Sequence, residues 1–340
     1  MAMKIAVDAM GGDFGPKVIV PGAAEAAEKF GLEIMLVGLE AALNREIGKL
    51  PSTLRSLSVI PAPEVIDMGE GLLSIRKKKN SSIAVGAQLL KEGRADAFVS
   101  MGNTAAIVYI ARNVLGALSG IDRPALALLL PNVDGGLTML IDAGANANCQ
   151  PHNLVQFAIM GKIFMESVSG IDNPRIGLMS IGEERGKGND LVRETFERLS
   201  RSSMRFIGNL EGKDVFSGVA DVIVSDGFTG NIALKVSEGV VEHMVSMARH
   251  EITKNLFAKL GYLLMRRHLK KIYKKIDYSE YGGAQLLGVN GVCVIGHGRS
   301  TRAAVRNAIL RGRDFVVGRV QEKIKVEISR QSFALKGAGP

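Results

Sequence analysis

The chain has 340 residues, 46% of them hydrophobic, and is long enough to bury a large core in one domain or two. Its two cysteines, Cys149 and Cys293, exclude a disulfide framework and indicate a reducing compartment. The N-terminal sequence lacks the apolar segment of a signal peptide, and no uncharged apolar run reaches the roughly 18 residues of a membrane-spanning helix. We therefore expect a soluble protein that is at most peripheral to a membrane.

The net charge of +9 comes almost entirely from one segment. Residues 252–276 contain eight basic residues and no acidic residue, and the rest of the chain has 35 basic against 34 acidic residues. The eight are Lys254, Lys259, Arg266, Arg267, Lys270, Lys271, Lys274 and Lys275. The basic character is therefore local, and the high isoelectric point does not describe the fold as a whole.

Short apolar, strand-like segments alternate with helical segments along most of the chain. We predict strands at 4–8, 33–37, 57–62, 97–100, 125–130, 137–142, 175–181, 204–208, 221–225 and 292–295. We predict helices at roughly 17–30, 81–92, 104–118, 151–169, 188–200, 228–250 and 299–312. This alternation predicts a three-layer α/β/α fold with a mostly parallel sheet. The predicted catalytic domain covers residues 1–330, and residues 331–340 form a flexible tail.

One pair of predicted strands departs from this alternation. Residues 131–136 between 125–130 and 137–142 read Pro-Asn-Val-Asp-Gly-Gly, which is turn chemistry. We therefore predict an antiparallel hairpin at this point of the otherwise parallel sheet.

Six short clusters rich in Gly, Asn and Asp follow predicted strands. They lie at 8–13, 100–104, 142–146, 182–189, 225–231 and 296–300. Gly permits a close approach of the backbone to a ligand, and a helix that starts in such a loop presents free N–H groups to an anion. Ligands of open α/β sheets bind outside the carboxyl ends of the strands. We therefore expect one shared cleft for a reaction that involves phosphate.

The first two clusters supply candidate ligands for phosphate or for a developing oxyanion. The candidates are Asp8, Gly11, Gly12, Asp13, Ser100, Gly102, Asn103 and Thr104. In the functional interpretation, the two Asp residues accept hydrogen bonds, and Ser100, Asn103 and Thr104 donate to an anion. The structural alternative is a tight βα turn followed by ordinary helix caps. The segment 8–13 matches neither Gly-x-Gly-x-x-Gly nor a P-loop, which disfavours a nucleotide site.

The clusters at 182–189 and 225–231 carry candidate cations and amides. The candidates are Lys187, Gly188, Asn189, Asp226, Gly227, Gly230, Asn231 and Lys235, together with Asn146 from the third cluster. Lys187, flanked by glycines, can reach an anion as a point charge. Asn231 and Lys235 are four residues apart and share one helix face. The alternatives are a solvated charged loop at 182–189 and a β-turn with a helix cap at 225–231.

His297 is the one histidine with a glycine on each side. It is a candidate general acid or substrate ligand, and a structural histidine fits the sequence equally well. The other histidines show no metal-ligand spacing with one another or with cysteine. They are His152, His243, His250 and His268. We therefore predict no metal site.

Residues 251–276 combine an apolar helical face with the local excess of basic residues. The apolar candidates for membrane contact are Leu256, Phe257, Leu260, Tyr262, Leu263 and Leu264. Gly261 is expected to break or bend the helix, which predicts a helical hairpin that projects from the domain. A polybasic amphipathic helix is attracted to anionic lipid, whereas no nucleic-acid motif is present. We predict membrane contact, with part of the apolar face packed on a second subunit.

Together these loops resemble those of the phosphate acyltransferases of bacterial phospholipid synthesis, which use acyl carrier protein as the acyl donor. The resemblance runs from Met3 to about Arg313. It rests on IAVDAMGGD (5–13) with Pro16, GNT (102–104), RP (123–124), DAGAN (142–146), IGEERGKGN (181–189), GNLEG (208–212) with Asp214, DGFTGN (226–231) and GGAQLLG (282–288). Two positions depart from the family pattern. Ala105 replaces Gly and Gln285 replaces Pro, and both are expected at loop edges.

The resemblance implies a fold like that of the isocitrate/isopropylmalate dehydrogenases and phosphotransacetylases, a homodimer, and no organic cofactor. It implies transfer of a fatty acyl group from acyl-[acyl carrier protein] to inorganic phosphate. The acyl phosphate would pass to a membrane glycerol-phosphate acyltransferase. We therefore expect a cytoplasmic enzyme that associates peripherally with the inner face of the cell membrane and binds no nucleic acid.

In the implied reaction, hydrogen phosphate attacks the thioester carbonyl directly, so no covalent enzyme intermediate is needed. We assign Lys187, Asn231 and the 225–231 loop to phosphate. We assign Ser100, Asn103 and Thr104 to the oxyanion or to a second edge of the phosphate. Asp226, Lys235 and His297 are candidates for orienting groups or for protonation of the leaving thiolate.

Two other classes of function remain consistent with the residues. One is a phosphate acetyltransferase or a decarboxylating dehydrogenase of the same architecture. The other is a non-catalytic module that binds membrane or nucleic acid. Such a module explains residues 252–276 but leaves the polar loops without a role.

Overall fold

A computed structural model describes residues 2–54, 57–254, 256–276 and 282–337. Within these ranges, nothing is described for the side chains of Leu256 and of residues 270–276 and 331–337. The predicted membrane contact of Leu256, and that of the basic residues at 270–275, therefore falls outside the described side chains.

The described strands form one mixed sheet of 11 strands. They are β1 (Lys4–Asp8), β2 (Glu33–Gly38), β3 (Ser58–Pro61), β4 (Ala97–Ser100), β5 (Ala125–Pro131), β6 (Leu137–Ile141), β7 (Ile176–Met179), β8 (Phe206–Leu210), β9 (Val222–Val224), β10 (Ala284–Leu287) and β11 (Val292–Ile295). Their spatial order is β3-β2-β1-β4-β11-β10-β5-β6-β9-β7-β8. The predicted hairpin is present as the antiparallel pair β5–β6.

Helices cover both faces of the sheet. They are α1 (Pro16–Phe30), α2 (Glu40–Gly48), α3 (Leu72–Ile75), α4 (Ser82–Lys91), α5 (Thr104–Leu115), α6 (Pro151–Val168), α7 (Asp190–Ser200), α8 (Gly227–Lys254), α9 (Leu256–Ile276), α10 (Arg302–Val317) and α11 (Val320–Gly337). Alternate residues of β1 enter two different cores, with Ile5 and Val7 on one face and Ala6 on the other. The predicted α/β/α class is therefore confirmed.

Each core is completed by its own helices. The first contains apolar residues of α1, α6, α7, α10 and α11, and the second contains residues of α4 and α5, with Ala233 and Leu234 of α8 packed at its edge. Strands buried on both faces are continuously apolar, which explains why the sequence indicates most of them. Among the residues that the structure covers, none of the helices is both long and apolar enough to cross a membrane.

The centre of the sheet reverses its direction. β3, β2, β1, β4 and β11 are parallel to one another, and so are β6, β9, β7 and β8. Three successive antiparallel pairings, β11–β10, β10–β5 and β5–β6, connect these two half-sheets. Because an odd number of reversals lies between them, the half-sheets run in opposite directions. The carboxyl ends of the two half-sheets therefore lie at opposite edges of the sheet.

Several helix boundaries follow from local capping chemistry. Ser81 and Thr301 accept hydrogen bonds from the third residue of α4 and α10, and Pro16 occupies the first turn of α1. α7 begins at Asp190 because Gly188 has φ 98°, a left-handed conformation that interrupts a helix. This start lies two residues after the predicted one.

Some elements differ from the sequence prediction. The strand β10 was not predicted, and Gln285 lies fully buried inside it rather than at a loop edge. The helices α2, α3 and α11 were not predicted either, and α11 continues to Gly337, past the start of the predicted tail. Ala105 lies in the first turn of α5, next to its preceding loop.

The predicted break at Gly261 is wrong. Gly261 lies inside α9 (Leu256–Ile276). A glycine inside a helix costs only about 1 kcal/mol relative to alanine, and the good helix formers around it offset that cost. Gly261 therefore does not end the helix, and Asn255, between α8 and α9, lies outside the described residues.

Candidate active site

The predicted site residues fall into two clusters, one on each half-sheet. The first cluster lies at the carboxyl ends of β1, β4 and β11 and contains Asp8, Gly11, Gly12, Asp13, Ser100, Gly102, Asn103, Thr104 and His297. The second lies at the carboxyl ends of β6, β7 and β9 and contains Asn146, Lys187, Gly188, Asn189, Asp226, Gly227, Gly230 and Asn231. The two clusters have different chemistry and are considered in turn.

A buried carboxylate organises the first cluster. Ser100 Oγ donates to Asp8 Oδ2 at 2.6 Å, and the Met10 N–H donates to Asp8 Oδ1 at 3.1 Å. Ser100 Oγ in turn accepts from the Gly102 N–H at 3.0 Å. Burial raises the pKa of Asp8, and the hydrogen bonds from Ser100 and Ser82 partly oppose that rise. Asp8 therefore joins the β1 and β4 loops.

The loop after β11 completes the first cluster. The Asp13 N–H donates to the Gly298 carbonyl at 2.8 Å, and a Cβ at Gly12 would lie 2.9 Å from the same carbonyl oxygen. His297 Nδ1 accepts from the Arg299 N–H at 3.1 Å, and the ring is half-buried. The sequence prediction that 8–13, 100–104 and 296–300 come together is therefore correct for this half of the fold.

Asn103 is occupied by structural contacts. Its Nδ2 donates to the carbonyls of Met68 and Glu70, at 2.8 and 3.2 Å, and its Oδ1 caps α5 by accepting from the Ala106 N–H. The predicted donation of Asn103 to an oxyanion would require these bonds to break. Thr104, at the exposed first turn of α5, keeps its hydroxyl at the surface beside the free helical N–H groups.

A second buried carboxylate, Asp142, organises the second cluster. Its oxygens accept from the N–H groups of four residues and from the side-chain amide of Asn146, at 2.7 to 3.0 Å. The four backbone donors are Leu126, Gly144, Ala145 and Asn146. Burial raises the pKa of Asp142 despite these donors. Asn146 also donates to the Pro124 carbonyl, so it acts here as a structural link rather than a free ligand.

Two glycines allow the 225–231 loop to lie against this carboxylate. A Cβ at Gly230 would lie 2.0 Å from the Asp142 carbonyl oxygen, and one at Gly227 would lie 2.7 Å from the Asn146 backbone. The close packing places the exposed Asn231 side chain against Gly144, with about 3.4 Å to a Cβ built there. Asn231 therefore sits at the surface of the cluster, next to the Asp142 loop.

Asp226 and Lys235 are engaged within α8. Asp226 Oδ1 accepts from the N–H groups of Phe228 and Thr229, and Oδ2 accepts from the Thr229 hydroxyl. Asp226 is thus the N-cap of α8, which is the structural alternative for this loop. Lys235 Nζ forms an exposed ion pair with Glu238 at 2.7 Å. In the described structure, Asp226 therefore serves the start of α8, and Lys235 is directed at Glu238.

Lys187 lies on a tight loop between β7 and α7. Asn189 Oδ1 caps α7 by accepting from the Val192 N–H, and the Lys187 N–H donates to the Glu184 carbonyl. The Lys187 side chain is exposed, and within the described ranges it has no acidic partner at ion-pair distance. Its ammonium group is therefore available to an anion.

Two polar groups that the sequence analysis missed lie beneath this loop. Ser180 Oγ and Asn209 Oδ1 are buried, and neither has a hydrogen-bond partner among the described atoms. Asn209 Nδ2 donates to the Glu184 carbonyl, which ties β8 to the same loop. Both are polar residues at the carboxyl ends of buried strands, which is the signal that could have identified them.

The two clusters are connected through α8. This helix begins at Gly227 in the second cluster, and its Glu242 forms an ion pair with Arg299 of the first cluster at 2.9 Å. Fifteen helical residues span about 22 Å. Among the described hydrogen bonds and ion pairs, the others that involve site residues stay within one cluster or its half of the fold. The expected single cleft is therefore replaced by two clusters, because the central strands reverse the sheet.

Solved structures of other proteins share this architecture. The phosphotransacetylase of Streptococcus pyogenes has a TM-score of 0.62 at 20% identity, covering 94% of each chain. A branched-chain phosphotransacylase from Enterococcus faecalis has a TM-score of 0.57 at 12% identity, covering 92% of this chain and 99% of the other. At these identities the likeness defines the fold, that of the phosphotransacetylases.

Sequence comparison defines the family. Residues 3–323 match the model of a family described as "Fatty acid synthesis protein". The phosphate acyltransferase of Pelotomaculum thermopropionicum is 46% identical over 338 residues, 99% of this chain and 98% of that protein. The phosphate acyltransferase of Carboxydothermus hydrogenoformans is 48% identical over 305 residues, 90% of this chain and 92% of that protein. The chain belongs to the phosphate acyltransferase family and is an acyltransferase of fatty acid and phospholipid synthesis.

The buried Asp8 carboxyl predicts a pH-dependent stability. An acid whose folded-state pKa is raised contributes stability that is fully present below its unfolded pKa, about 3.9, and is lost as the pH rises through the folded pKa. The Asp8→Asn variant lacks this titration. We therefore expect the unfolding free energy of the wild type, minus that of the variant, to fall as the pH rises above about 4.

Denaturant unfolding at matched pH values measures this difference. Ser100→Ala is the control, because it removes the Ser100 hydrogen bond but keeps the titrating Asp8 carboxyl. The difference between Ser100→Ala and Asp8→Asn should therefore still depend on pH. A wild-type difference that stays constant across the range would contradict the raised pKa.

Proposed function

We propose that this enzyme transfers a fatty acyl group from acyl carrier protein to inorganic phosphate and releases acyl phosphate. The observation that carries the proposal is the exposed Lys187 ammonium on the loop that leads into α7, since the first N–H groups of α8 are already engaged by Asn146 and Asp226. β7 and β9 are hydrogen-bonded neighbours, and the loops after them lead to Lys187 with α7 and to Asn231 with α8. A multiply charged phosphate is favoured by an ammonium group and by free helical N–H groups.

The chemistry needs no nucleophile from the protein. Burial raises the pKa of Cys149 to about 11 and that of Cys293 to about 12, so both thiols are protonated at neutral pH. Phosphate is already a nucleophile, and the task of the protein is to hold it beside the thioester carbonyl. Direct attack of phosphate, without a covalent enzyme intermediate, is therefore the proposed step.

The first cluster is the proposed site for the thioester carbonyl, and because α8 separates it from Lys187 of the same chain, the attacking phosphate is proposed to be held by the second cluster of a second copy. Ser100 Oγ donates to Asp8 and the Asn103 amide is engaged by two carbonyls, which leaves the Thr104 hydroxyl and the first N–H groups of α5 as donors to the oxyanion. His297 is the proposed donor to the leaving thiolate in this cluster. Asp226 and Lys235 are proposed to position the start of α8 rather than to move a proton.

A homodimer is proposed because α8 exposes a continuous apolar stripe. Six residues at three- or four-residue spacing keep between 47% and 64% of their surface exposed. They are Phe228, Ile232, Val236, Val240, Met244 and Met247. Large contiguous apolar patches mark interaction sites, and a second copy supplies the same stripe around a two-fold axis. Since α8 runs from one cluster to the other, two copies of α8 packed antiparallel around the two-fold axis would bring the first cluster of one chain to the second cluster of its partner, where the proposed attack takes place.

Peripheral membrane contact is proposed for α9. Phe257, Leu263 and Leu264 are exposed by 87%, 61% and 77%, and Tyr262 by 38%. Lys259, Arg266 and Arg267 lie among them and attract anionic lipid. The proposed location is therefore the inner face of the cell membrane. There a membrane glycerol-phosphate acyltransferase would receive the acyl phosphate.

The reaction itself is tested with palmitoyl-[acyl carrier protein]. Because phosphate is the proposed acyl acceptor, release of free carrier protein should require inorganic phosphate. It should also produce a hydroxylamine-sensitive acyl phosphate. Release without phosphate, or no release, would reject the proposal. Acetyl-coenzyme A with phosphate, and NAD with a 2-hydroxy acid, test the acetyltransferase and dehydrogenase alternatives in parallel.

Loss of the Lys187 ammonium should weaken catalysis without unfolding the protein. Because Lys187 is exposed and meets the proposed phosphate, Lys187→Ala is expected to lower turnover by a factor of roughly 10². Lys213→Ala is the matched control, since Lys213 Nζ already pairs with Glu183 and Glu211 near the same loop. Equal melting temperatures establish folding. Near-normal turnover of Lys187→Ala at saturating phosphate would remove Lys187 from the mechanism.

Two charge substitutions test the proposed dimer and the proposed membrane contact independently. Val236→Glu places a charge in the α8 stripe and should give monomers in sedimentation velocity. Leu263→Glu places the same charge on α9 and should abolish flotation with phosphatidylglycerol vesicles while the dimer persists. Each variant is the control for the other. An intact dimer in Val236→Glu, or normal flotation of Leu263→Glu, would contradict the corresponding assignment.

A further inference from the structure

Residues 68–79, which we name the α3 patch, lie beside the first cluster. Asn103 at the start of α5 holds the patch through the carbonyls of Met68 and Glu70. The Met68 side chain also reaches the β11 loop, since a Cβ at Gly298 would lie 2.6 Å from Met68 Cε. The α3 patch therefore borders the proposed thioester site and is fixed to it by hydrogen bonds.

The α3 patch presents positive charge to solvent. Arg76, Lys77 and Lys79 are exposed, and Lys77 and Lys79 have no acidic partner at ion-pair distance among the described residues. Arg76 lies 5.5 Å from the centre of the Tyr109 ring, and Arg112 is exposed one turn further along α5. Four cations therefore face outward beside the first cluster.

Lys78 has a different role from its neighbours. It turns inward, where it pairs with Glu70 and donates to the Val65 carbonyl at 2.6 Å. Hydrogen bonds from the Asp67 N–H, Lys78 and Ser74 lower the pKa of Glu70 to about 2, so Glu70 stays ionised. The Glu70–Lys78 pair therefore fixes the shape of the patch and neutralises itself, and the outward cations keep their charge.

Exposed leucines lie within this positive field. Leu73 is 77% exposed and Leu72 is 48% exposed, whereas Ile75 is buried and anchors the single turn of α3. An apolar centre with a charged rim is the usual composition of a protein interface, and complementary charge steers the partner to it. The matching partner is an acidic protein with a small apolar contact surface.

The chain has a second basic surface, on α9, and the two basic surfaces differ in where they lie relative to the first cluster. α9 follows α8 along the chain, whereas the α3 patch touches the loops of the first cluster. We propose that the α3 patch docks the acidic carrier protein that delivers the thioester. This proposal rests on the function proposed above. It assigns the two basic surfaces to different partners, carrier protein for the α3 patch and lipid for α9.

Charge reversal of the two outward lysines tests the docking. Lys77→Glu/Lys79→Glu should raise the KM for palmitoyl-[acyl carrier protein] about tenfold or more at low salt, with kcat unchanged at saturation. The difference should shrink as ionic strength rises, because salt screens exposed charges. Fluorescence anisotropy of labelled carrier protein measures the same loss of affinity directly.

Lys259→Glu/Arg267→Glu on α9 is the matched control, since it makes the same charge change on the other basic surface. Its KM for the acylated carrier protein should equal that of the wild type. An unchanged KM and affinity in Lys77→Glu/Lys79→Glu, or a larger loss in the α9 variant, would overturn the docking proposal. Wild-type enzyme that shows no phosphate-dependent release would instead overturn the proposed function, so the two failures are distinguishable.

Discussion

Three antiparallel strand pairings at the centre of the sheet determine where every candidate site residue lies. Because β11–β10, β10–β5 and β5–β6 each reverse the chain direction, the two half-sheets present their carboxyl ends in opposite strand directions. Loops that carry Gly, Asn and Asp follow strands in both halves, so the polar residues separate into two clusters. α8 crosses from one cluster to the other, and its pairing of Glu242 with Arg299 links them.

Each cluster is built around a buried aspartate. Asp8 and Asp142 both end or follow an inner strand, both accept hydrogen bonds from the loop that continues the chain, and burial raises the pKa of both. Burial of a carboxylate is costly unless donors surround it, which explains the dense hydrogen bonding at Asp142. It also explains the nearby glycines, since a side chain at Gly230 would collide with the Asp142 backbone. These loops are therefore rigid supports for the exposed groups, Thr104, Lys187 and Asn231.

Sequence patterns predicted the parts of the fold that depend on local chemistry. The doubly buried strands are continuous apolar runs, and the capped helices α4, α7 and α10 begin beside Ser, Asn or Thr. β10 was missed because it is short, follows two glycines and contains the polar Gln285. Without β10, the reversal of the sheet and hence the separation of the clusters was not predictable.

Residue roles in the site were predictable only where the partner is near in sequence. Asn189 as the cap of α7 and Asp226 as the cap of α8 follow from neighbouring residues. Asn103 donates to the carbonyls of Met68 and Glu70, which lie 35 and 33 residues earlier in the chain. That earlier segment has no helical or strand-like hydrophobic periodicity, so the contact could not be predicted. Asn209 was unpredictable for the same reason, since its side-chain amide donates to the Glu184 carbonyl, 25 residues earlier.

Asn103 also explains how one residue serves both the first cluster and the α3 patch. Its Oδ1 fixes the start of α5, where the free N–H groups of the proposed oxyanion site lie, and its Nδ2 fixes the carbonyls of the patch. A shift of the patch on binding a partner would therefore act on the first turn of α5 through two hydrogen bonds. Delivery of the thioester and alignment of its carbonyl are thereby tied to the same side chain.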